Sequence, residues 1–249
     1  MLRISHKLKE RIILYSCEAL GLGIFMFCAT AATIIMDHPD SYIYNLTRSE
    51  LLKRFLIGLL MGLTALYILT SSFGKRSGAH INPSVTIVQY RLGNINGINA
   101  IFYILFQFIG GSIGMYLIYL LFPSYVMHPQ INYIVTQPTG GGIGVAFVLE
   151  FIISFILMSI VLYSNTSKRL SKLTAYFVAI LITIFITFEA PFSGMSMNPA
   201  RTFASAFVSG EWKSFWLYCI APPAGMICGE LFVLKICKKH LERVSLHND

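Results

Sequence analysis

Long apolar runs alternate with short polar segments along this chain of 249 residues. Six of the runs, at 12–36, 51–73, 98–122, 143–163, 173–188 and 215–236, approach or exceed the roughly 20 apolar residues that one helix needs to cross a bilayer. Two shorter stretches interrupt the series: Pro83–Arg91 lies between the second and third runs, and 199–208 between the fifth and sixth. At about 1.5 Å per residue each reaches across half a bilayer. The pattern predicts an all-α integral membrane protein with six transmembrane helices and two half-helices.

Composition points the same way. The chain is 55% hydrophobic and 12% charged, with a mean hydropathy of +0.68, more apolar surface than a soluble core of this size can hide. The first run follows Arg3, Lys7, Lys9 and Arg11, as a signal peptide would. It is too long for one, contains Glu18 and lacks a clear small-residue cleavage site, so it reads as a retained span.

The net charge of +8 raises nucleic acid as a partner, but its distribution excludes that reading. When ends and loops are assigned alternately to the two sides, one side receives Arg48, Lys53, Arg54, Arg201 and Lys213, and the other receives the remaining fourteen of the 19 basic residues. That asymmetry is the positive-inside rule, and it puts both termini in the cytoplasm of a plasma or bacterial inner membrane. The five cysteines, Cys17, Cys28, Cys219, Cys228 and Cys237, fall in or beside spans without metal-ligand spacing and read as packing residues. No cofactor or metal is implied. Of two glycosylation sequons, Asn45 would face outside and Asn165 the cytoplasm.

Two polar segments carry the chemistry: Ser77-Gly-Ala-His-Ile-Asn-Pro-Ser84 and Ser193-Gly-Met-Ser-Met-Asn-Pro-Ala-Arg201. Each opens a half-length stretch, one in each half of the chain. Each half runs span, span, Asn-Pro half-helix, span. Three spans per half give the halves opposite orientations, so the chain reads as one membrane domain, 1–249, of two inverted repeats at about 1–122 and 143–249. Glu18 in the first span matches Glu150 in the fourth. A carboxylate facing lipid is costly, so both are expected to face inward and brace the loop beside them. Gly110-Gly111-x-x-Gly114 suits close helix packing.

Proline fits the first turn of a helix, and asparagine before it is a favoured cap. Asn82-Pro83 and Asn198-Pro199 therefore start the two half-helices, with Ser84 and Ala200 following. Two helix N-termini meeting at mid-membrane place two partial positive charges there. Each Asn, its carbonyl held by backbone, can turn its NH₂ towards a passing oxygen. Such a site admits neutral hydrogen-bonding solutes and opposes cations and protons.

These motifs, with Glu18, Glu150, Gln107 and Pro222, resemble the aquaporin (major intrinsic protein) family over essentially the whole chain; Ser84 departs from the usual Ala. The resemblance implies a homotetramer with one pore per subunit and a narrow outer filter of four positions. Arg201 takes the family's arginine position. Gap-free counting puts Met195 and Ile186 at two others, and the fourth falls on Met61 or Gly62. Strict water channels usually carry His where Ile186 stands. Glycerol facilitators usually carry Asp and a basic residue where Thr202 and Ala206 stand. The resemblance thus implies a passive channel for water that admits small uncharged solutes such as glycerol, with a glycerol-type facilitator as the alternative.

Two other classes fit less well. A secondary transporter needs a coupling-ion cluster that the spans lack apart from the two glutamates. An enzyme needs a nucleophile or metal group, and no Ser-His-Asp order or paired Cys is present. His80, in the first loop, is assigned to bracing that loop or sensing pH from the cytoplasmic side.

Overall fold

The computed structural model describes the backbone of residues 2–246 and the side chains of residues 8–238. Six long helices and two short ones carry the architecture. The long ones are α1 (Leu2–Asp37), α2 (Glu50–Thr70), α4 (Gly97–Leu121), α5 (Gly142–Asn165), α6 (Thr174–Phe188) and α8 (Phe215–Leu246). The short ones are α3 (Pro83–Arg91) and α7 (Pro199–Ser209). Five of the long helices, and α6 together with the Ser171–Leu173 turn before it, contain a segment long and apolar enough to cross a membrane, and the chain is an integral membrane protein with the expected all-α architecture.

The ends of the helices differ from the apolar runs for local reasons. The second run was expected to continue to Phe73, but α2 stops at Thr70. Ser71 turns extended, with ψ 161°, and its hydroxyl accepts the Gly74 N–H at 3.0 Å to start a separate turn, Ser72–Ser77. At the other extreme, α1 begins ten residues before its apolar run and α8 continues to Leu246. Hydropathy marks the depth of the bilayer, whereas a helix goes on wherever its backbone bonds can.

Packing follows from apolar faces that turn outward. Leu20, Ile113 and Leu231 are exposed, while the polar groups of the spans, Glu18, Gln107 and Glu150, are completely buried. α1 packs along α4, α5 along α8 and α2 along α6, and both half-helices rest against α4 and α8. Hydrocarbon tails are as apolar as leucine, so these contacts depend on close approach of backbones. At the α1–α4 crossing a Cβ on Gly114 would lie 2.1 Å from the Gly23 carbonyl oxygen, closer than any side chain can pack.

Gly114→Val should therefore force α1 and α4 apart. In detergent its thermal unfolding midpoint is expected to fall by several degrees, consistent with the ~1–3 kcal/mol cost of overpacking.

Candidate functional site

The site is built from two loops, each leading into a half-helix. In the first, Gly78 adopts φ 89° and ends the Ser72–Ser77 turn; in the second, Gly194 adopts φ 79° and ends Ala190–Ser193. From there the backbone is strained, with Ala79 and Ile81 at φ 45° and 41° and Met195 and Met197 at φ 46° and 54°. A branched side chain such as Ile81 avoids that region unless its surroundings impose it.

The two buried glutamates impose it. Glu18 accepts the His80 N–H at 3.0 Å on one oxygen, and the Ile81 N–H at 2.6 Å and the Gln107 amide at 2.8 Å on the other. Glu150 accepts the Ser196 N–H and the Ser193 hydroxyl, both at 2.7 Å, on one oxygen and the Met197 N–H at 2.8 Å on the other. Two tyrosines add a second tie: Tyr103 donates to the Ser77 carbonyl at 2.9 Å, and Tyr218 to the Ser193 carbonyl. His80 also pairs through Nδ1 with the Thr86 hydroxyl at 3.1 Å and lines the cavity described below.

Beyond the loops, each asparagine caps its own half-helix. Asn82 Oδ1 accepts the Ser84 N–H at 2.8 Å; Asn198 Oδ1 accepts the N–H groups of Ala200 at 3.0 Å and Arg201 at 3.3 Å. Pro83 and Pro199 occupy the first helical positions. Each Asn NH₂ donates to the opposite loop, Asn82 to the Met197 carbonyl at 2.7 Å and Asn198 to the Ile81 carbonyl at 2.8 Å. The sequence reading pointed both amide groups at a solute. The structure divides the work: one N–H of each amide crosslinks the loops, leaving one other. Ser84 is completely buried, and its hydroxyl has no hydrogen-bond partner among the described residues.

A cavity of about 840 Å³ runs past both asparagines. Asn165 and Thr174 line one end of it, and Asp37, Glu50 and Arg54 the other. Met61, Ile186, Met195 and Arg201 all line it. Gly62 is the exception and corrects one of the two options for the fourth position. It faces α6, where a Cβ would lie 2.5 Å from both the Ala179 carbonyl and the Thr183 hydroxyl. Arg201 is held in place by its donation to the Ile134 carbonyl at 2.9 Å.

Sequence reasoning treated Arg54 only as a topology charge. Here it lines the cavity and donates through Nε to the Thr187 carbonyl at 3.1 Å, next to Ile186. The signal was available in its spacing, because Arg54, Ile57 and Met61 recur on one helical face.

Six apolar spans around a central cavity with fixed polar groups at its middle are the architecture of a membrane channel. A sequence model described as Major intrinsic protein matches residues 6–233. Aquaporin-4 of Rattus norvegicus is 32% identical over 223 residues, covering 89% of this chain and 67% of that protein. The probable aquaporin NIP5-1 of Arabidopsis thaliana is 34% identical over 216 residues, covering 85% of this chain and 65% of that protein. The X-ray structure of the aquaglyceroporin from Plasmodium falciparum shares the fold, with a TM-score of 0.78 at 21% identity, over 92% of this chain and 98% of that one. The chain belongs to the major intrinsic protein family and is a channel, not an enzyme.

The orphaned Ser84 hydroxyl yields a prediction. Ser84→Ala removes a buried group that makes no hydrogen bond, so it should leave transport intact and raise stability by about 1 kcal/mol, read from thermal unfolding in detergent.

Proposed function

We propose that this channel conducts water passively, together with small uncharged solutes such as glycerol, and excludes ions and protons. The observation that carries the reading is the cross-bonded asparagine pair at the start of two half-helices. Both helix N-termini direct partial positive charge at the middle of the cavity, and each amide has one N–H beyond its crosslink. Cations and protons meet that charge first, and Arg201 adds to it, the general means of exclusion in aquaporin-type pores.

Met61, Ile186, Met195 and Arg201 act in this reading as the filter, three apolar walls facing one guanidinium. A solute with an apolar edge and hydroxyls on the other side fits that pairing, which favours admission of glycerol beside water. Glu18, Glu150 and His80 brace the loops. The chain forms a single domain of two inverted halves, at about 1–122 and 143–249, repeated around a homotetramer. The charge asymmetry of the loops supports an orientation with both termini in the cytoplasm and Arg201 on the outer side. The names of its relatives, aquaporins and an aquaglyceroporin, are in keeping with both solutes.

Stopped-flow light scattering on proteoliposomes tests this reading. A sucrose gradient should cause fast shrinkage, and a glycerol gradient should cause shrinkage followed by accelerated re-swelling. Shrinkage without re-swelling would restrict the pore to water, and no acceleration in either gradient would overturn the assignment. Met61→Ala removes bulk from the filter and should raise glycerol uptake relative to water by roughly threefold or more. Arg201→Val should admit a proton leak, seen with a pH-sensitive dye trapped in the vesicles; an unchanged leak would remove Arg201 from the filter.

A further inference from the structure

Glu189 follows α6 directly and precedes the Ala190–Ser193 turn that leads into the second loop. It is 6% exposed and does not line the cavity. Among the described residues, neither of its carboxylate oxygens has a hydrogen-bond partner. A buried carboxylate without donors is among the costliest groups a protein can hold in its charged form.

The groups around it supply no donor. Ser193 is near enough to influence the Glu189 carboxyl but makes no hydrogen bond to it; its hydroxyl proton goes to Glu150 on α5 at 2.7 Å. Tyr218 on α8 spends its hydroxyl on the Ser193 carbonyl. Arg201 on α7 and Arg54 on α2, which donate to the Ile134 and Thr187 carbonyls through Nη1 and Nε, make no hydrogen bond to Glu189. Burial, and after it the charge of Glu150, push the Glu189 carboxyl up to about 8.

A serine hydroxyl has one proton and two lone pairs. At Ser193 the proton serves Glu150, and the Met195 N–H takes one lone pair at 3.1 Å. The remaining lone pair can accept a proton donor, which a neutral Glu189 supplies and an ionised one does not.

We propose that Glu189 is a positioning residue for the second loop: protonated in the conducting channel, it donates to the Ser193 hydroxyl, and the chain Glu189–Ser193–Glu150 holds Met195 in the filter. When Glu189 ionises, its proton passes to solvent and two carboxylates compete for the single Ser193 proton. The Ser193–Glu150 link then loosens, and Met195 moves into the path of the solute. The inference rests on Met195 being a filter wall, as proposed above. The sign follows from linkage: the folded state keeps this proton to higher pH than an unfolded chain, so the loop weakens as pH rises from the ordinary carboxylate value of 4.5 towards about 8.

The test uses the full chain in proteoliposomes. Water permeability of the wild type should fall at least about twofold between about pH 6 and about pH 9. Glu189→Gln donates without titrating and should stay high at both, whereas Glu189→Ala should be low at both. Identical pH profiles for wild type and Glu189→Gln would overturn the proposal. Infrared spectroscopy gives a readout independent of transport, and serves even if the variants fail to fold. A protonated-carboxyl band in the wild type at the lower pH should vanish at the higher one; its absence at the lower pH would overturn the proposal. A titrating band in a protein that conducts no water would instead sink the filter reading of Met195, while leaving the protonated Glu189 in place.

Discussion

Irregular backbone inside a membrane must have its N–H groups satisfied by the protein, because hydrocarbon offers no acceptor and each unpaired group costs several kcal/mol. In this channel the demand is met by two carboxylates, Glu18 and Glu150, each of which accepts two consecutive loop N–H groups and one side-chain donor. The left-handed conformations of Ala79, Ile81, Met195 and Met197 survive because those acceptors, and the tyrosine ties behind them, hold the loops from one side. Removing either carboxylate would orphan several buried donors at once.

With the N–H groups engaged, the rest of the site follows. The loops end at fixed points, so Pro83 and Pro199 start their helices facing each other. The asparagines then bond across to the opposite loop, which makes the two halves of the centre one rigid unit. A solute path that needs groups placed to a fraction of an ångström gains from that rigidity. Arg201 is kept in position by the same economy, with one of its donors on the Ile134 carbonyl.

The halves repeat these contacts without being identical. Gln107, a neutral amide on α4, is the extra donor to Glu18, whereas Glu150 depends on a hydroxyl from its own loop, that of Ser193. An amide presents two protons and a hydroxyl one. The second of the Gln107 protons goes to the Thr86 hydroxyl, whereas Ser193 has none to spare beyond Glu150; the Ser193 loop is also the one that carries Met195 and stands beside Glu189.

Much of this could be read from the chain alone. Apolar run length determined the six spans, and the Asn-Pro pairs determined where two half-helices begin, because span length and proline geometry are local constraints. The same locality left Met61 and Gly62 undecided: neighbours on one helix point in different directions, and only packing against α6 turns Gly62 away from the cavity. In the sequence Arg54 looked like a topology charge, and nothing there singled out Glu189. Their surroundings come from α6 in one case and from α5 and α8 in the other. Which donor reaches which acceptor across helices depends on how they cross, and that is a property of the packed bundle that no stretch of sequence contains.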